Sequence, residues 1–156
     1  SEGMAFHDVY LGLGANIGDR AKTLAAATDR IGELVGEVVG RSALYETEPW
    51  GFESDHMFVN SVVHCRTALS PRQVLEQTQL IERELGRRRK SVGGCYADRT
   101  IDIDILAFDD ITVDEPDLKI PHPLMHERDF VMMPLNEILG ALTGFRPVSG
   151  HASAWP

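Results

Sequence analysis

A chain of 156 residues and 17.3 kDa has the size of one globular domain, and its 43% hydrophobic content can fill one core without disulfide or metal staples. With 24 acidic against 15 basic side chains, the formal net charge of −9 argues against broad attraction to nucleic acid or an anionic membrane, and leaves small anionic ligands open. A single domain over residues 1–156 is expected, with Ser1 to Gly3, ahead of Met4, an appended remnant. Cys65 and Cys95 form neither a zinc pattern nor a disulfide framework, and no stretch reads as a signal peptide or membrane span, so a reducing, cytoplasmic setting is expected.

In chain order, Val9 to Gly14 reads as a strand ending in glycines. Asp19 then caps a helix whose apolar positions include Leu24, Ile31, Leu34 and Val35. Val38 to Tyr45 and Met57 to Cys65 read as strands separated by a loop at Pro49-Trp50-Gly51. Ser70, Pro71 and Gln73 supply an N-cap, a first-turn proline and a capping-box partner for a helix through Leu85. Thr100 to Phe108 is a strand, Asp109-Asp110 a turn, and Ile111 to Val113 a short strand. Beyond Asp114 the prolines 116, 121, 123 and 134 predict loops around a short, partly helical element at Val131 to Leu139. The order β-α-β-β-α-β predicts an α+β, ferredoxin-like antiparallel sheet with helices packed on one face and a loop-rich C-terminal extension. A doubly wound sheet is the alternative.

The most informative segment is Arg99 to Phe108, RTIDIDILAF. Strand periodicity puts Asp102 and Asp104 on one face and Ile101, Ile103 and Ile105 on the other. Adjacent carboxylates repel unless a proton, a cationic side chain or a metal compensates, and oxygen donors suit Mg²⁺. In isolation the pair would also suit a solvated edge strand, a reading that the alternating isoleucines weaken. Between Arg83 and Arg99, however, six basic residues meet two acidic ones, a positive cluster in an acidic chain. A solvated helix end explains the cluster alone; together with the aspartates it suits a magnesium–polyphosphate site. Gly12 to Gly18, GLGANIG, fits neither a dinucleotide fingerprint nor a P-loop. His122 between Pro121 and Pro123 can donate to phosphate, with Arg128 nearby. Trp50, Phe58 and Phe130 offer ring contacts, and Thr47 and Asn60 offer hydrogen bonds to a polar heterocycle.

The ordered set YLGLGAN, YETEPWG, FVNSVV, GRRRK, DRTIDIDILAF and PHPLMHERDFVMMPL resembles the 6-hydroxymethyl-7,8-dihydropterin pyrophosphokinases of folate biosynthesis, over about Val9 to Leu139. The resemblance implies transfer of pyrophosphate from ATP to the hydroxymethyl oxygen, with release of AMP. It implies two Mg²⁺ ions on Asp102 and Asp104, with Arg87 and Arg99 also catalytic. ATP would contact Arg87, Arg89, Arg99, His122 and Arg128, with Ile105 and the backbone from Leu118 to Ile120 facing adenine. The pterin would lie between Phe58 and Phe130, with Thr47, Trp50 and Asn60 around it. The chain departs from the family pattern at Glu48, Trp50, Phe58, Cys95, Tyr96 and Pro123. Partners are expected to be these small molecules, without nucleic acid or membrane, and the protein is expected to be a monomer. A magnesium-dependent phosphatase or nucleotidyltransferase, or a non-catalytic anion-binding module of the same fold, are the alternatives.

Overall fold

Strand β1 (His7–Ala15) lies between β5 (Asp102–Phe108) and β4 (Phe58–Thr67), antiparallel to both. The computed structural model describes residues 5–15, 18–47, 58–86, 101–123, 125, 129–143 and 151–153. Beyond β4 come β2 (Glu37–Arg41) and β3 (Leu44–Thr47), both paired to it, and β8 (His151–Ser153) pairs with β3. The sheet order is β5-β1-β4-β3-β8, with β2 also on β4. Counting β2 and β3 as one interrupted strand, the core order is that of the expected split βαβ arrangement.

Helix α1 (Arg20–Leu34) starts where Asp19 accepts the Lys22 N–H at 3.2 Å, and it buries Leu24, Ala27, Thr28 and Ile31 at helical spacing. Helix α2 (Pro71–Gly86) opens with the reciprocal bonds of a capping box: Ser70 N–H donates to Gln73 Oε1 at 2.9 Å, and Gln73 N–H donates to Ser70 Oγ at 3.2 Å. Both helices cover one face of the sheet, over a core that includes Val9, Leu11, Leu13, Val63, Val74, Ile81, Ile103 and Ile105.

Three features differ from the sequence expectation. The strand read as Val38 to Tyr45 is two strands broken at Ser42-Ala43, where Ser42 Oγ lies 3.0 Å from Ser61 Oγ and accepts the Val62 N–H at 3.0 Å. The short strand near Ile111 is instead a hairpin of β6 (Val113–Glu115) and β7 (Leu118–Ile120). The short, partly helical element expected at Val131 to Leu139 is a longer, continuous helix, α3 (Asp129–Thr143), of 15 residues with Pro134 inside it. An interior proline costs about 3 kcal/mol. That cost is offset because α3 packs Val131 and Leu135 against Val62, Leu106 and Met125 on the opposite face of the sheet. Helices therefore cover both faces rather than one. No helix of the described residues is long and apolar enough to cross a membrane.

Candidate active site

On the α3 side of the sheet, the antiparallel registers align one row of residues: Asp102 on β5, Gly14 on β1, Asn60 on β4 and Tyr45 on β3. The next row is Asp104, Gly12 and Val62. Both aspartates are half-buried, on the face opposite the core residues Ile103 and Ile105. Two residues of strand rise separate them by about 6.6 Å along the backbone, so one polyphosphate chain can span both carboxylates.

The glycines make this face a floor. A Cβ on Gly14 would stand 2.7 Å from Asn60 Oδ1 and 4.0 Å from Phe58 Cδ1, so these two side chains reach across β1 toward Asp102. A Cβ on Gly12 would stand 3.3 Å from Leu106 Cδ2. Asn60 is only 4% exposed, and its amide sits against backbone where the sheet leaves no side chain. The sequence places these glycines at the end of a strand and in no nucleotide fingerprint. Their link to the aspartates and to Asn60 appears only when the three strands are in register.

The outer edge of β5 is closed from two sides. Ile103 N–H donates to Glu82 Oε2 of α2 at 2.8 Å, and His122 N–H donates to the Leu106 carbonyl at 3.0 Å. Glu82 escaped the sequence reading; its place in the turn of α2 before the basic cluster was the available signal. The His122 backbone is thereby tied to the strand that carries the aspartates, after a cis peptide at Ile120-Pro121. Ile105, Leu118 and Ile120 come together in one buried cluster. Their side chains are interior, so what Leu118 to Ile120 can offer a ligand is backbone.

Tyr45 was also missed. Its ring is 2% exposed, and its hydroxyl donates to Glu137 Oε1 of α3 at 2.5 Å. Burial, reinforced by the Glu137 carboxylate, pushes the phenol well above its ordinary value and keeps it a donor. Arg87, Arg89, Arg99, Arg128 and Trp50 lie outside the described residues, as do the side chains of Thr47 and Phe130.

The donor chemistry fits Mg²⁺. Among the described residues no group of three or more His, Cys, Asp or Glu side chains could hold a metal ion. A protein that supplies one or two carboxylates, with phosphate oxygens and water completing an octahedron, needs no larger group.

The family model described as 7,8-dihydro-6-hydroxymethylpterin-pyrophosphokinase (HPPK) matches residues 10–140. A 2-amino-4-hydroxy-6-hydroxymethyldihydropteridine pyrophosphokinase of Porphyromonas gingivalis is 53% identical over 131 residues, which cover 83% of this chain and 89% of that protein. The protein of the same description from Bacillus subtilis is 43% identical over 130 residues, covering 83% of this chain and 76% of its own. A crystal structure of wild-type Plasmodium falciparum HPPK-DHPS superposes with a TM-score of 0.68 at 18% identity, over 87% of this chain and 42% of that one. That likeness concerns the fold, and this chain spans well under half of the Plasmodium chain.

Proposed function

The chain belongs to the 7,8-dihydro-6-hydroxymethylpterin-pyrophosphokinase family and transfers pyrophosphate from ATP to the hydroxymethyl-pterin, and we propose that Asp102 and Asp104 hold two Mg²⁺ ions for that transfer. The observation that carries this is the shared face: both carboxylates flank the glycine floor, Asp102 in the row of Gly14 and Asn60 and Asp104 in the next row, beside Gly12. Bound there, the metal ions would neutralise phosphate charge and hold the β-phosphorus toward the attacking alcohol.

The residues divide the remaining work by chemistry. Arg87, Arg89, Arg99, His122 and Arg128 are the proposed donors to phosphate oxygens, and guanidinium forks suit the charge that spreads over a transferring phosphoryl group. The backbone along Leu118 to Ile120, beside Ile105, is the proposed adenine wall. Asn60 and Thr47 are the proposed hydrogen-bonding partners of the pterin ring, between Phe58 and Phe130 and near Trp50. The hydroxymethyl oxygen forms a bond to the β-phosphorus, the bridge to the α-phosphate breaks with AMP as leaving group, and the alcohol proton passes to solvent or a ligand oxygen. We further infer a cytoplasmic monomer acting on small molecules; the net charge of −9 supports the part of this that excludes broad attraction to nucleic acid or an anionic membrane.

Asp102→Asn and Asp104→Asn test the reading. Each is expected to lower kcat by about a hundredfold or more while the folded protein persists, because each removes one negative metal donor and leaves the strand ladder intact. Formation of AMP and pterin diphosphate at the wild-type rate in either variant would remove that aspartate from the metal site.

A further inference from the structure

Beneath the proposed pterin site, Glu137 of α3 reaches the break between β2 and β3. Its two carboxylate oxygens accept the Ala43 N–H at 2.9 and 3.2 Å, and Oε1 also accepts the Tyr45 hydroxyl at 2.5 Å. The Ala43 bonds have a local explanation, since the broken ladder leaves that N–H in need of a partner. The Tyr45 bond likewise gives a buried hydroxyl its partner, but it does so across 92 residues, tying the strand that carries Thr47 to the helix that carries Phe130. Tyr45 already has its backbone in β3 and a buried ring, and it stands directly beside Asn60 in the β3–β4 register. Position 47 is two residues further along β3, and position 130 is two turns back along α3.

We propose that Tyr45 and Glu137 are positioning residues: their hydrogen bond clasps α3 to β3 and sets the separation between the backbone segments that carry Thr47 and Phe130, and thereby the fit of the pterin. The inference rests on the pterin site proposed above. Neither residue touches substrate in this reading. The clasp joins α3 to β3 on the pterin side; α3 also packs on Leu106 of β5, but the Asp102 and Asp104 strand is held in addition by its ladder to β1 and by Glu82, neither of which the clasp touches. Breaking it should therefore affect one substrate and spare the other.

Steady-state kinetics of Tyr45→Phe, which keeps the ring and deletes the hydroxyl, test this with each substrate varied in turn. The pterin KM is expected to rise about tenfold, the scale of one hydrogen bond to a charged group, with kcat and the ATP KM within about twofold of wild type. Glu137→Gln keeps an acceptor oxygen for Ala43 and loses the charge, and should give a smaller rise with the same selectivity. An unchanged pterin KM in both variants, or pterin and ATP KM rising together alongside a lower melting temperature, would overturn the clasp. Asn60→Ala separates the two readings. A raised pterin KM there with an unchanged one in Tyr45→Phe defeats the clasp alone, and no change in Asn60→Ala defeats the site on which it rests.

Discussion

Asn60 Oδ1 occupies the space into which a side chain on Gly14 would project, 2.7 Å from where its Cβ would lie. The two residues face each other across β1 and β4, and Asp102 faces Gly14 from the other side. A missing side chain is thus what lets a buried amide approach the carboxylate strand.

Gly14→Ala should move Asn60, because a side chain buried this deeply has little room to yield. The expected cost is about 1–3 kcal/mol of stability, together with a raised pterin KM. Gly12→Ala meets Leu106 Cδ2, the end of a flexible side chain, at 3.3 Å and should be milder on both counts. Denaturant unfolding and pterin-dependent kinetics of the two variants check the ranking. Equal effects would mean that the Asn60 contact yields easily.

Glu82→Ala removes the acceptor of the Ile103 N–H on the edge of β5. An amide left without a partner in a half-buried site costs about 1–3 kcal/mol. Glu82→Gln keeps an acceptor oxygen and should recover most of the loss in urea unfolding. A Glu82→Ala protein as stable as wild type would show that water replaces the carboxylate at no cost.

Chelation of divalent cations should abolish turnover without lowering the melting temperature. The strand carrying Asp102 and Asp104 is held by its ladder to β1, and among the described residues no larger set of metal donors exists. Two carboxylates alone bind Mg²⁺ weakly, so Mg²⁺ affinity should rise when a nonhydrolysable ATP analogue supplies phosphate oxygens. Calorimetric titration of Mg²⁺ with and without the analogue measures this. Equal affinity in both conditions would count against shared coordination.

At the far end of the sheet, Asp109 accepts the Asp8 N–H at 2.7 Å and pairs with His7 Nδ1 at 2.7 Å. The Asp8 N–H chiefly, and His7 with it, hold the Asp109 carboxyl below its ordinary value of 3.8. A carboxyl depressed in the folded state stabilises the fold above its unfolded value, and the contribution is lost as pH falls through the folded one. Asp109→Asn should therefore be less stable than wild type at neutral pH, with the gap closing below about pH 4. Thermal unfolding across that range tests the sign, and a gap that widens toward acid would contradict it.

The sequence alone determined the features that depend on neighbours along the chain. Asp19 and the Ser70–Gln73 pair cap their helices through contacts three residues away, and the alternation in DIDIL sends Asp102 and Asp104 to one face, because helix and strand periods are properties of the local backbone. Tertiary structure decided the rest. The prolines suggested only a short, partly helical element at Val131 to Leu139 where α3 runs unbroken from Asp129 to Thr143, since the burial of Val131 and Leu135 against Val62 and Leu106 outweighs the local penalty at Pro134. The Asp102–Gly14–Asn60–Tyr45 row joins four strands whose members are up to 88 positions apart, and the Tyr45–Glu137 bond spans 92 residues. Register between strands and the docking of a helix follow from which apolar faces bury together, and no local pattern in the chain encodes that pairing.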